Sequence, residues 1–102
     1  MKKIVMLTAV ISGLLMSNVL LAGGDAAAGK TKSASCTGCH GMNGKSNNPA
    51  YPNLAGQKGM YLEKAMKAYK SGDRKDAMMT SFVASLSDQD IADLAAFYAS
   101  VK

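Results

Sequence analysis

Cys36-Thr37-Gly38-Cys39-His40 gathers into five residues both cysteines and the only histidine of the chain. Two thiols three positions apart, followed at once by an imidazole, suit few chemistries. A disulfide between them would close a tiny loop, and the stabilisation from a cross-link grows with the loop it closes. A zinc site would find three ligands at most, cramped in spacing, where structural zinc takes four. A thioredoxin-like redox pair belongs beside a strand–helix unit, and the surrounding sequence shows none. What fits is the Cys-x-x-Cys-His pattern of covalent haem attachment. Two thiols at this spacing can reach two vinyl groups on neighbouring edges of one porphyrin and form thioethers. The next residue then lies under the iron, where histidine is the common proximal ligand. Cys36 and Cys39 are thus the expected attachment sites of one covalent haem c, with His40 as an axial iron ligand.

Outward from that stretch, the composition excludes much else. The chain has 102 residues, 48% of them apolar, but aromatics make up only 6% and tryptophan is absent. A chain of this length holds one domain. Two cysteines exclude a dense disulfide scaffold, and one histidine excludes any site that needs two imidazoles. The apolar residues lack large rings, so the core is short of bulk.

The N-terminus has a separate character. Lys2 and Lys3 precede an uncharged run over residues 4–21, and small Ala22, Gly23 and Gly24 follow. This is the layout of a secretory signal, with cleavage expected after Ala22. The alternative is an uncleaved anchor, since residues 4–22 make 19 positions, within the spanning range. Thr8, Ser12, Gly13, Ser17 and Asn18 interrupt that run. Residues 1–22 are therefore expected to be removed, leaving residues 23–102 as one exported domain with no stable membrane insertion. The loss of Lys2 and Lys3 lowers the formal charge from +5 to +3. A domain of 80 residues makes a thin core and needs a staple.

Three stretches of that domain read as helices, and no stretch alternates as a strand would. The first runs from Asp25, a good N-cap, to the cysteines. The second covers about residues 60–71, where Tyr61, Leu62, Ala65, Met66 and Tyr69 share one apolar face. The third starts at Ser87. The spacing from Ser87 to Asp90 resembles a capping box, and Ile91, Leu94, Ala95 and Tyr98 recur at helical spacing. Residues 41–59 are irregular, because their glycines, asparagines and two prolines forbid a regular element. Residues 73–85 read as a second loop.

The second axial ligand cannot be a histidine. Methionine is the expected partner in electron-transfer cytochromes, and the domain offers Met42, Met60, Met66, Met78 and Met79. Met42 lies too close to His40 in sequence to cross to the other haem face. Met60 and Met66 read as core packing. Met78 and Met79 lie far enough downstream, and spacing alone does not choose between them. Lysine ligation or an open sixth position are the remaining options.

Taken in order, these motifs resemble the class I cytochromes c, especially the short mono-haem bacterial periplasmic ones. They also resemble one unit of the di-haem bacterial cytochromes. The resemblance rests on Cys-Thr-Gly-Cys-His-Gly at 36–41, Tyr-Pro-Asn-Leu-Ala-Gly-Gln at 51–57, Met-Thr at 79–80 and Leu-Ser-Asp at 86–88. It implies an all-α fold of three or more helices wrapped around one covalent haem c. In that family the ligand methionine stands seven residues before the leucine of Leu-Ser-Asp, which here is Met79. The family also uses a proline carbonyl to accept a hydrogen bond from the proximal histidine, which here implies Pro52, with Pro49 the weaker candidate. First and last helices cross through small residues, a role suited to Ala28 or Gly29 against Leu94 and Phe97 or Tyr98. Tyr51, Tyr61 and Tyr69 stand in for a tryptophan that some relatives turn toward a propionate, or else simply fill the core.

The function implied is one-electron transport between larger redox complexes, without a catalytic site of its own. A dedicated subunit of one periplasmic dehydrogenase is the alternative. Lysines outnumber acids over most of the domain, while Asp88, Asp90 and Asp93 cluster on the last helix. That polarity points to redox partner proteins with acidic docking surfaces, met by a monomer. The charge is too modest to suggest nucleic acid.

Overall fold

A computed structural model describes residues 23–102, and the expected leader lies outside them. Asp25 starts the first helix as its cap: its carboxylate accepts from the Ala27 and Ala28 amides at 2.9 and 3.3 Å. Helix α1 spans Ala26–Lys32, a 3-10 turn covers Ser33–Ser35, and α2 spans Thr37–His40. The expected single helix therefore reaches the cysteines in three short pieces. Helix α3, Gly59–Ser71, ends at Gly72, whose φ of 88° is left-handed. Helix α5, Asp88–Ser100, opens with the anticipated capping box. The Asp90 amide donates to Ser87 Oγ at 3.0 Å, and the Ser87 amide donates to the Asp90 carboxylate at 2.9 Å.

Residues 73–85 depart from expectation. They contain a helix, α4, over Ala77–Val83, capped by Asp76. Its carboxylate accepts from the Met78 and Met79 amides, each at 3.0 Å. Met79, Phe82, Val83 and Leu86 fall at i, i+3, i+4 and i+7, an apolar stripe hidden in a segment too short to show a period. Among the described residues there is no strand, and no helix is long and apolar enough to cross a membrane.

Helix α5 is the hub. It buries Ile91, Leu94, Ala95, Phe97 and Tyr98, with α1 packed on it and α3 also against it. Gly29 is the crossing point with α1. A Cβ there would overlap the Asp93 carbonyl and come within 2.8 Å of the Phe97 Cβ. Close approach of two helix backbones is what a glycine inside a helix permits. Of the two candidates for the crossing, Gly29 holds it, against Phe97 as expected and against Asp93 as not expected.

Asp93 is buried at 3% exposure and fully engaged. It accepts from the Asp25 amide at 2.8 Å, from Gln89 Nε2 at 2.8 Å and from Lys32 Nζ at 2.6 Å. Lys32 also reaches Asp90 at 2.8 Å. Burial opposes ionisation of Asp93, but the three donors outweigh it and hold its pKa below the ordinary value. The Lys32 ammonium, followed by the Ser87 amide, lowers Asp90 to about 2. Two of the three acids on α5 are thus spent inside the fold, tying α1 to α5, rather than forming an acidic face.

Candidate functional site

The irregular stretch between α2 and α3 is folded by a few backbone bonds. The Leu54 and Ala55 amides donate to the Gly44 carbonyl at 2.8 and 3.1 Å. The Ser46 amide donates to Asn53 Oδ1 at 2.7 Å, and the Gly56 amide donates to the Tyr98 carbonyl at 2.9 Å. Gly44 has φ of 78°, and a Cβ there would meet the Tyr98 ring and the Ala55 nitrogen, each at 2.8 Å. The stretch is therefore seated directly on α5.

That seating brings Pro52 to His40. The Pro52 carbonyl lies 2.9 Å from His40 Nδ1. A carbonyl can only accept, so Nδ1 carries the proton, and Nε2 of the neutral ring keeps its lone pair. His40 is 8% exposed, which shields that lone pair from bulk water. Cys36 and Cys39 are both half-buried, with no disulfide between them.

All five expected site residues, Cys36, Cys39, His40, Pro52 and Met79, line one cleft of about 210 Å³. Met78 lines it too. Met79 is half-buried, whereas Met78 is 54% exposed. Tyr51, Tyr61 and Tyr69 also face it, as does the whole apolar stripe of α3. Pro49 does not, nor does Met42, at 73% exposure. Met60, expected in the core, is 85% exposed: it sits in the first turn of α3, off the stripe that meets α5. Phe82 and Val83 of α4 line the cleft as well, and no sequence expectation pointed to them, whereas Leu86 beside them is the leucine of Leu-Ser-Asp. The Asp76 cap ahead of Ala77-Met78-Met79 was the available signal.

The cleft fits a large apolar planar group. Its walls are aliphatic and aromatic, with no carboxylate among the lining residues. Tyr98 is 2% exposed, and its hydroxyl is the buried side-chain polar atom left without a partner among the described residues. Burial, with Cys36 beside it, raises its pKa above the ordinary phenol value. The orphaned Tyr98 hydroxyl beside Cys36 and the His40 ring both line this apolar cleft, so an apolar group is what its walls fit. Haem would supply an apolar disc, two vinyl groups to which the Cys36 and Cys39 thiols add to give haem c, and an iron for His40.

Comparison with known proteins agrees. The family model for cytochrome c matches residues 26–102. Cytochrome c-554(548) of Halomonas halodenitrificans is 52% identical over 80 residues, covering 76% of this chain and 96% of that protein. Cytochrome c4 of Pseudomonas aeruginosa is 45% identical over 97 residues, covering 95% of this chain and 48% of that one. The crystal structure of reduced cytochrome c4 from Pseudomonas stutzeri superposes with a TM-score of 0.75 at 43% identity, over 78% of this chain and 47% of that chain. The chain thus spans about half the length of the cytochromes c4 it matches. On motif, fold and relatives alike, the chain belongs to the cytochrome c family and carries a covalently bound haem c.

Proposed function

We propose that this protein is a periplasmic one-electron carrier with His40 and Met79 as axial iron ligands. The observation that carries the proposal is the meeting of Cys36, Cys39, His40 and Met79 in one cleft with mostly apolar walls. When bound, the haem supplies the ferric–ferrous couple. The residues of the chain do the rest. Cys36 and Cys39 hold the group as thioethers. Pro52 fixes the tautomer and the plane of His40 through the 2.9 Å contact, as outer-shell partners of metal-bound histidines do. Met79 presents a soft thioether from a capped helix turn, and its half-buried position favours it over exposed Met78. A thioether ligand in a dry pocket favours the ferrous state and raises the potential. His40 and Met79 would hold the iron in both oxidation states, so that gain or loss of an electron would require little rearrangement of the chain.

Export follows from residues 1–22 acting as a cleaved signal, and the carrier then meets its donor and acceptor in the periplasm. The ligand assignment is tested by absorption spectroscopy of the ferric protein. Wild type is expected to show the long-wavelength thioether charge-transfer band. Met79→Ala loses the band and Met78→Ala keeps it. The reverse pattern would move the ligand to Met78, and no band in wild type would point to an open sixth position.

A further inference from the structure

Arg74 is the only arginine of the chain. It is also the only side chain of fixed positive charge along the cleft, where no lysine and no carboxylate lines the walls. Its place is built, not incidental. At the end of α3 the left-handed Gly72 turns the chain back, and the Arg74 amide donates to the Ala68 carbonyl at 3.0 Å. The Gly72 amide donates to the same carbonyl at 3.1 Å, the single closing bond of an αL-type helix end, and Arg74 adds a second donor to it. This turn returns Arg74 over its own helix, with the guanidinium carbon 4.7 Å from the centre of the Tyr69 ring. Stacking on an aromatic face fixes the plane of the guanidinium and leaves its edge donors free. Among the described residues no carboxylate comes within ion-pair distance of it. Of its charged neighbours, Asp76 is engaged in capping α4, while Asp73 and Lys75, like Arg74 itself, are exposed.

We propose that Arg74 pairs with a haem propionate and so helps to position the haem and to set its potential. The inference rests on the haem reading above. Thioether attachment through the vinyl groups leaves the two propionates on the other side of the porphyrin from the cysteines. Arg74 belongs to the wall built by α3 and α4, whereas the cysteines belong to the segment around α2. A planar guanidinium with free edge donors is the natural bidentate partner of a carboxylate. Arg74 would hold that propionate ionised through the neutral range. It would also place a positive charge near the iron, which disfavours the ferric state.

The test is the reduction potential of the holoprotein as a function of pH, in wild type, Arg74→Gln, Arg74→Lys and Lys75→Gln. Lys75→Gln removes an adjacent exposed charge and controls for general electrostatics. Arg74→Gln is expected to lower the potential more than Lys75→Gln does, and to make it pH-dependent where wild type is flat, as the freed propionate begins to titrate. Arg74→Lys keeps the charge and should restore most of the potential. Arg74→Gln matching Lys75→Gln in potential and pH profile would overturn the proposal, leaving Arg74 as packing on Tyr69. Wild type purified without covalent haem would instead overturn the cofactor reading, and its absorption spectrum tells the two failures apart.

Discussion

At the scale of single residues, the site depends on positions that bear no chemistry themselves. Gly44 accepts the Leu54 and Ala55 amides on its carbonyl while its own α-carbon lies against the Tyr98 ring. Its φ of 78° already disfavours any side chain. Gly44→Ala is therefore expected to cost about 2 kcal/mol through backbone strain and overpacking together. Chemical denaturation measures it, and a cost under about 0.5 kcal/mol would mean that the Pro52 stretch is not braced on α5 as described. Cys36, Cys39 and His40 were legible at once, because the motif spacing is itself the chemistry. Pro52 was reachable only through resemblance, because a backbone carbonyl leaves no trace in residue type. Arg74 was not legible: its meaning comes from a turn at Gly72 that folds it back onto Tyr69.

At the scale of elements, α1 and α5 form the frame on which the haem-binding segment hangs. Their crossing is close because Gly29 has no side chain. Gly29→Ala should gain about 1 kcal/mol of helix propensity, but the new methyl overlaps the Asp93 carbonyl. The expected net is a loss of about 2 kcal/mol or more, as for other overpacked sites, seen as a lower midpoint in thermal unfolding. A stabilised variant would show that the helices can part without penalty. The α5 helix was readable end to end, since Ser87 and Asp90 cap it and its buried residues follow the helical period. Helix α4 was not. It has 7 residues, fewer than the pattern needs, and its stability comes from the Asp76 cap and from packing on α3. Helix propensity alone rarely sustains so short a segment. The hidden breaks between α1 and α2 have the same origin, because tertiary packing decides them.

At the scale of the whole molecule, charge works in two places. The first is internal. Asp90 and Asp93 have folded pKa values below their ordinary 3.8, so each contributes stability that is present above that value and lost as pH falls through the folded pKa. For Asp90 that window runs down to about 2. Lys32 is shifted the other way, so its share is intact below 10.5 and lost only at higher pH. Acid unfolding should therefore begin below pH 4 and separate α1 from α5. Asp93→Ala should cost about 2 kcal/mol at neutral pH, the worth of lost charged hydrogen bonds, and flatten the acid dependence. An unchanged acid profile in that variant would remove Asp93 from the interlock. The second place is the surface. Lys58, Lys64, Lys67, Lys70 and Lys75 are exposed on and around α3, the helix whose other face lines the cleft. Electron exchange with an acidic partner should slow steeply with added salt. A flat salt response would mean that these lysines are only solvated.

The shortage of aromatic residues also resolves at this scale. Only seven apolar side chains are buried among the described residues, and four of them, Leu62, Val83, Leu94 and Tyr98, line the cleft. The porphyrin completes the core, which makes cofactor and fold one structure. Spectroelectrochemical titration of the holoprotein tests that claim and the carrier function together. A single reversible one-electron transition is expected, low-spin in both oxidation states, with the thioether band present when oxidised and gone when reduced. A high-spin ferrous spectrum that shifts on adding carbon monoxide would contradict it, because it would show an iron position that the chain leaves open.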